Sequence, residues 1–537
     1  MTTTVDGPPR QADKPRKAAA TRKAPGAALL TRAEAYALGK KLRESCPRDS
    51  HARWKAPRDR ANAVDLVLSA EKGRLADLLP LRHGRMARSA FTFYRGAALT
   101  MASDLASTPV SGIRVQCCGD AHLSNFGGFA TPERRVIFSI NDLDETLPAP
   151  WEWDVKRLAT SFVVACRDNS LSDACARDAS TAVVRTYRES MFEYSEMRTL
   201  ELWYEALAAD KLVADIQDKG FRDRALKRLQ KEKSKSIAED IFPKLVQHEG
   251  EKPCIKDQLP TIFHHEDVPP GVISEAVTQT LAGYRETLSS ATRGLLDRYQ
   301  LRDAAIKVVG IGSVGTQCWV LLYMAHDGDP LFLQVKEARP SVLEAFAGAS
   351  PFVNHGQRVV EGYRLMQPAS DMFLGWAHGP KLHYFIRQLR DIKIAMRVET
   401  FGRPEMELYA TWCGRALALA HARSGMAHEL SGYMGRRVYQ QRAGKCMVTA
   451  LPPSRSWPRP CQRGWPAAGR RGPSRSGSRR LPRSPRSPRR RRRSGPCIRS
   501  ARSPFPSERV PARAPGRTRW RRAPSRSVRR SRHEWRS

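Results

Sequence analysis

Apolar residues recur at two different spacings along this chain, and the spacing changes with position. Between residues 61 and 105 they fall every three or four positions, which predicts helices over 61–78 and 97–105. Short apolar runs at 113–118 and 135–140 predict strands. Helical spacing returns at 153–167 and 172–207, and a charged helix with a solvated basic face is expected over 221–245. Residues 260–270 read as loop and 272–299 as helix. The pattern then turns β-rich at 306–309, 317–324 and 331–335. A glycine-rich stretch separates the first two of these strands, and the turn Asp327-Gly328-Asp329-Pro330 separates the last two. That order predicts an antiparallel meander. Helices are expected at 341–346, 356–367 and 405–422, and a strand at 381–389. No internal repeat is visible.

These elements predict an α+β chain of two lobes. The predicted divisions are a basic, disordered leader at 1–30, a mainly helical region at 31–300, a β-rich lobe at 301–400, a helical segment at 401–435 that completes the first lobe, and a tail at 436–537.

Composition sharpens the ends more than the middle. The chain has 537 residues, of which 41% are hydrophobic, enough for a sizeable core. No apolar run reaches the length of a membrane span, so no membrane partner is expected. The leader is basic and lacks an apolar stretch, unlike a secretory signal. Eleven cysteines without a CxxC pair argue against a disulfide framework or a structural zinc site and predict a cytoplasmic protein. Cys117 and Cys118 lie in an apolar run and are expected to be buried and inert.

The formal charge of +38 first suggests nucleic acid, but its distribution says otherwise. Residues 451–537 hold 28 arginines, no lysine and only Glu508 and Glu534, so the tail carries +26 and the rest +12. The tail is built from Arg, Pro, Ser, Gly and Ala without any hydrophobic period and is expected to be disordered. Two readings of it stand. It is the product of a reading frame shifted after Gly435 in a GC-rich gene, or it is an Arg/Ser-rich nucleic-acid tail.

Two constellations carry chemistry. The first is Gly119-Asp120-Ala121-His122-Leu123-Ser124-Asn125, which follows a predicted strand, with Asn141-Asp142-Leu143-Asp144 at the end of the next. Asp120 can accept or position the proton of a substrate hydroxyl. Asn125, Asp142 and Asp144 offer the oxygen donors that Mg²⁺ prefers. His122 joins Asp120 in the catalytic loop, as a metal ligand or as a brace for the backbone. Asp and Asn are also ordinary turn residues.

The second is Gly310-Ile311-Gly312-Ser313-Val314-Gly315-Thr316, set between two strands. Glycines let backbone amides approach phosphates. A strand follows the loop where a dinucleotide-binding turn would open a helix, which suits a kinase-type hairpin. Lys336, near the end of a later strand, has the spacing to reach α- and β-phosphates. Glu361 is its expected acidic partner, with Glu337 and Glu344 as rivals. Arg95, in Phe91-Thr92-Phe93-Tyr94-Arg95-Gly96, is a candidate substrate or phosphate contact. Arg387 to Asp391 follow a strand, where a kinase hinge would lie.

The blocks SAFTFYRGAALTMASDLA, VQCCGDAHLSNFGGFA, INDLDETLPAPWEWDVKRLA, GIGSVGTQCWVLL, LQVKEARPSVLE and RQLRDIK closely resemble the bacterial domain of unknown function twenty-two fifty-two, over about residues 50–435. That resemblance supplies no reaction. It implies an acid after Gly425, where this chain has Met426, and a helical segment after Gly435, where this chain has its Arg-rich tail. GDAHLSN and INDLD more distantly resemble the catalytic loop and metal strand of aminoglycoside phosphotransferases and choline kinases. The likeness implies Asp120 as acid/base, Asn125 and Asp142 as Mg²⁺ ligands, and Gly310, Gly312, Ser313, Gly315, Lys336 and Glu361 as an ATP clamp. In those enzymes the clamp precedes the catalytic loop, so the resemblance implies a circularly permuted, two-lobed, protein-kinase-like fold. The helix at 405–422, with Leu417-Ala418-Leu419-Ala420-His421, would then lead into the catalytic loop. The expected activity is ATP- and Mg²⁺-dependent phosphoryl transfer to a hydroxyl of a small molecule or protein. The alternatives are a metal-dependent hydrolase on Asp120, His122, Asp142 and Asp144, a non-catalytic nucleotide binder, or a nucleic-acid binder acting through the tail.

Overall fold

The computed structural model describes residues 30–435 except 236, 250–251, 265–269 and 390–391. The chain divides into two units, Met1–Ala468 and Gly469–Ser537. The second unit, and with it the expectations for most of the leader and for the tail, lies outside the described residues.

The described chain is a mixed α+β structure, as its two spacings predict. Its helical part has a core built on three long helices, Trp151–Asp168, Asp173–Glu196 and Arg403–His421, which pack on one another. The first of these is buried on almost every side. A three-stranded antiparallel sheet, in the order Lys393–Ala395, Phe126–Ala130, Val136–Ile140, lies against it. Arg114–Cys117 pairs with Leu147–Pro150 beside that sheet.

The β-rich part is a six-stranded antiparallel sheet. Its order is Gly375–His378, His383–Gln388, Pro330–Ala338, Cys318–Met324, Gln300–Lys307 and Ile262–Phe263. Successive side chains of a strand point to opposite faces. Leu321, Tyr323, Leu331, Leu333 and Val335 therefore meet Tyr284 and Leu296 on one face. Val320, Leu322, Met324 and Phe332 meet Val246, Ile255 and the short helix Phe242–Leu245 on the other. Covering both faces explains why the central strands read as continuous apolar runs.

Several predicted helices are broken. The 61–78 helix ends at Ser69, and Gly73, at φ +80°, turns the chain before a short 3₁₀ turn. The 172–207 helix stops at Glu196, and Thr199–Tyr204 forms a separate turn. Ser289 caps a new helix inside 272–299 by accepting the Thr292 amide. The strand that follows begins at Gln300, six residues before the predicted one. Residues 246–263 contribute three short strands where the sequence shows no clear alternation. All eight described cysteines are buried, Cys117 and Cys118 among them. Among the described residues, no helix is long and apolar enough to cross a membrane.

Candidate functional site

The GDAHLSN loop leaves the Arg114–Cys117 strand through Gly119, whose φ of +83° a side chain would resist. The Trp151–Asp168 helix holds the loop from below. Asp154 accepts the amides of Cys118 and Gly119 at 2.5 and 3.0 Å. His421 Nε2 stands 3.1 Å from the same carboxylate, and Tyr187 Oη lies 2.8 Å from His421 Nδ1. One helical turn further on, Arg157 Nε donates to Asp120 Oδ1 at 2.6 Å. Arg157 lies over the Tyr94 ring. Asp120 Oδ2 is left facing the cleft side, 3.8 Å from His122 Nε2.

The rest of the loop is fixed through its backbone. Asn125 Nδ2 donates to the Asp120 carbonyl at 2.9 Å, which commits its amide group and leaves Oδ1 as a neutral oxygen donor. Tyr409 Oη donates to the carbonyls of Leu123 and Phe126 at 2.8 and 3.0 Å. The His122 ring leaves its Nδ1 buried without a hydrogen bond. Burial lowers its pKa to about 4, and Arg95 and Arg157 add to the shift, so at neutral pH the imidazole is uncharged.

Asp142 and Asp144 follow the Val136–Ile140 strand, and Lys336 reaches them from the six-stranded sheet. Lys336 Nζ lies 2.5 Å from Asp144 Oδ2 and 3.9 Å from Asp142 Oδ1, and 5.1 Å from the centre of the Phe385 ring. Burial pushes the Asp144 carboxyl up to about 7, and the charge of Asp142 adds to this. Burial would raise Asp142 too, but Lys336 and the hydrogen bond with Asp144 hold it well below the usual carboxylate range. The two acids therefore titrate as a pair that keeps a proton near neutrality. Asp144 Oδ1 is buried without a hydrogen bond, an orphaned acceptor beside two further oxygen donors.

Glu361 is not the partner of Lys336. It pairs with Arg364 at 2.9 Å on the half-exposed side of the His355–Met366 helix. Glu337 and Glu344 are also taken. Glu337 accepts from Arg339 Nε and the Gln317 amide, and Glu344 accepts the Ser341 amide. The acids that meet Lys336 come from the NDLD segment instead, because Lys336 points across the cleft rather than into its own lobe.

The glycine loop folds against the 63–86 helical stretch. Arg85 donates to the Gly310 carbonyl, Arg82 to those of Ile311 and Gly312, and Arg74 to that of Val314. Gly310 and Gly315 take positive φ, at +66° and +88°. With the carbonyls tied back, the amides of Ile311, Gly312 and Ser313 have no hydrogen-bond partner among the described residues. A cleft of about 150 Å³ joins the two constellations, lined by Asp120, Asn125, Asp142, Asp144, Gly312 and Ser313. Gly310 lines it as well; Gly315 does not. Arg95 enters the same cleft with a buried Nε that finds no partner. Arg387, in the expected hinge, lies behind the cleft and donates to Tyr363 Oη at 2.9 Å. Arg390 and Asp391 are outside the described residues.

Sequence reasoning missed Asp154, Arg157, His421, Tyr187 and the three loop-clamping arginines. One signal was available. Glu152, Asp154, Lys156 and Arg157 crowd the first two turns of a helix that is buried on almost every side, and charges on a buried helix need partners.

A family model described as an uncharacterised protein conserved in bacteria, DUF2252, matches residues 74–443. No curated protein and no solved structure matches the chain.

Proposed function

Because the chain belongs to this DUF2252 family of uncharacterised bacterial proteins, whose description carries no reaction, we propose its chemistry from the cleft: it transfers the γ-phosphoryl of ATP, with Mg²⁺, to a hydroxyl acceptor. One observation carries the proposal. Lys336, on the glycine-loop sheet, contacts Asp144 and Asp142, so that sheet and the acid-bearing loop meet although 192 residues separate Lys336 from Asp144. Motifs that would be coincidental in sequence share one pocket.

The residues present fit the groups such a reaction needs. Asn125 Oδ1, Asp142 and the orphaned Asp144 Oδ1 form an oxygen donor set of the kind Mg²⁺ takes. The unpartnered amides of the glycine loop suit phosphate oxygens. When bound, Mg²⁺ neutralises charge on the phosphates. The protein's share is positioning. Asp120, its Oδ1 held by Arg157, presents Oδ2 to the acceptor hydroxyl and takes its proton. The acceptor oxygen forms the new bond to phosphorus as the bond to the ADP oxygen breaks. Lys336 and Arg95 supply fixed positive charge at either side.

The proposed arrangement is kinase-like and circularly permuted. Its support is local. The Arg403–His421 helix runs on to Ser424, whose Oγ accepts the Gln116 amide at 3.0 Å, so its end abuts the strand leading into GDAHLSN. A hydrolase with two bridging ions is less well supported, since Lys336 and Arg157 already occupy positions beside the acids. A thermal-shift titration of the full chain with ATP and Mg²⁺ or Mn²⁺ tests the proposal, followed by a search for labelled phosphoryl transfer. Stabilisation by nucleotide that needs the cation is expected. A folded sample that responds to neither would overturn the reading, and a hydrolase would keep its activity in Lys336→Ala.

A further inference from the structure

The sheet that ends in Asn141 and Asp142 has a second cavity on its far side, of about 300 Å³. Gly128, Phe138 and Ile394 form its floor. The Lys219–Lys233 helix roofs it with Phe221, Ala225 and Leu229, spaced four apart so that they share one face. The Arg403–His421 helix supplies Tyr409 and Trp412, both edge-on to Phe138 with ring centres 5.9 Å apart. Phe401 closes the aromatic set, 5.5 Å from Tyr409. A dry apolar cavity of about 150 Å³ accepts a benzene, so this one takes an aliphatic chain or fused ring roughly twice that size.

The charges around this cavity are lopsided. Arg224, Arg228 and Arg397 line it, against the single carboxylate of Glu405. Arg228 is engaged, donating to the Ala395 carbonyl at 2.6 Å. Arg224 is 3.9 Å from Glu405, which also sits in the first turn of its own helix, where a negative charge is already favoured. Arg397 is exposed, and its side chain has no hydrogen bond or ion pair among the described residues. An apolar interior with an unmatched cation at its edge is complementary to an amphipathic anion.

We propose that this cavity binds a small amphipathic carboxylate, its apolar body among Phe138, Phe401, Tyr409 and Trp412 and its anionic end at Arg397 and Arg224. The site is separate from the cleft but touches its support. Tyr409, whose ring the ligand would contact, holds the carbonyls of Leu123 and Phe126 on either side of Asn125. Occupancy therefore bears on the position of a candidate metal ligand, although binding itself does not depend on the proposed reaction.

Calorimetry on the full chain tests this with naphthalene-2-carboxylate and decanoate, each beside its neutral carboxamide. The shapes match within each pair and only the charge differs. We expect 1:1 binding of at least one carboxylate, with its carboxamide weaker by about tenfold or more. Arg397→Glu, at an exposed position, should weaken the carboxylate by a similar factor and leave the carboxamide unchanged. Ala225→Trp should fill the space and abolish binding of both, with circular dichroism confirming the fold; if it misfolds, the Arg397→Glu comparison decides. The proposal is overturned if neither carboxylate binds, if the carboxamides bind equally well, or if Arg397→Glu changes nothing.

Discussion

Lys336 Nζ lies 2.5 Å from Asp144 Oδ2, joining the end of one sheet to the loop that follows another. The contact is part-buried: 5% of the Lys336 side chain is exposed and 26% of that of Asp144. Replacing Lys336 by Met keeps most of the side-chain length and removes the cation that contacts Asp142 and Asp144. Breaking a buried pair by removing one partner costs about 3–5 kcal/mol. We expect a loss at the lower end of that range, because Asp144 can take up a proton. The variant should lose its response to ATP, and added Mg²⁺ should restore part of its stability. Urea midpoints with and without Mg²⁺ measure both effects. A wild-type midpoint in Lys336→Met would show that the contact carries no weight.

The raised Asp144 carboxyl makes a prediction about pH. Its folded value, about 7, lies above the usual 3.9 of an unfolded Asp. Between these values the folded state binds more protons than the unfolded one, so stability falls as pH rises from about 4 to about 7. The opposite contribution of Asp142 is confined to lower pH, since its own value is depressed. Without divalent cations, Asp144→Asn should flatten the decline by roughly 1–4 kcal/mol. With Mg²⁺ the slope should reverse, because the cation competes with the proton. Denaturation at stepped pH, with chelator and then with Mg²⁺, reads this directly. An unchanged slope in Asp144→Asn would place the titration elsewhere.

The glycine loop depends on side chains far from it in sequence. Arg82 donates to Ile311, Gly312 and Gly96 carbonyls and pairs with Glu71 at 3.1 Å, fully buried. Arg82→Met should cost about 2–3 kcal/mol, since it takes the guanidinium from Glu71, leaving it His83 alone, and leaves the Gly312 and Gly96 carbonyls unbonded. It should also weaken nucleotide binding, because the loop's amides lose their fixed orientation. Arg85→Ala is the control. Arg85 reaches only the Gly310 carbonyl from an exposed position, so its loss should stay within about 0.5 kcal/mol. Equal effects of the two substitutions would contradict the clamp.

How legible was this arrangement in the sequence? Local chemistry was. GDAHLSN, NDLD and the glycine loop each carry their residue types in one short stretch, and Lys336 follows at a recognisable spacing. The sheet meander was legible too, because strands covered on both faces are long apolar runs. What the sequence hides is pairing at a distance. Glu361 was a sensible partner for Lys336 by position on a helix, yet it faces Arg364, and nothing local distinguishes the two outcomes. Arg74, Arg82 and Arg85 look like an exposed basic helix until the loop they grip is placed beside them. Helix breaks at Gly73 and Ser289 were missed because tertiary packing there overrides a continuous periodic pattern.

Asp154 gives the last prediction. It accepts the amides of Cys118 and Gly119 and faces His421, all of them buried. Asp154→Ala leaves two amides and an imidazole nitrogen without partners, and each buried orphan costs about 1–3 kcal/mol. A loss of about 3 kcal/mol or more is expected. Asp154→Asn differs in kind. Its carbonyl oxygen can still accept the Gly119 amide, while its NH₂, in place of the oxygen that faces both His421 and Cys118, donates to His421 Nε2 and leaves the Cys118 amide without an acceptor. The imidazole proton moves to Nδ1 and donates to Tyr187 Oη, so the chain of hydrogen bonds survives with its direction reversed. The cost should be about 1–3 kcal/mol, below that of Asp154→Ala. His421→Phe breaks that reversal, so the Asp154→Asn/His421→Phe pair should be worse than the sum of its parts. Amide hydrogen exchange at Cys118 and Gly119 reports the loop itself: protection at Gly119 should survive in Asp154→Asn, and protection at both should be lost in Asp154→Ala. If both variants exchange like the wild type, Asp154 is not what holds Asp120 in place.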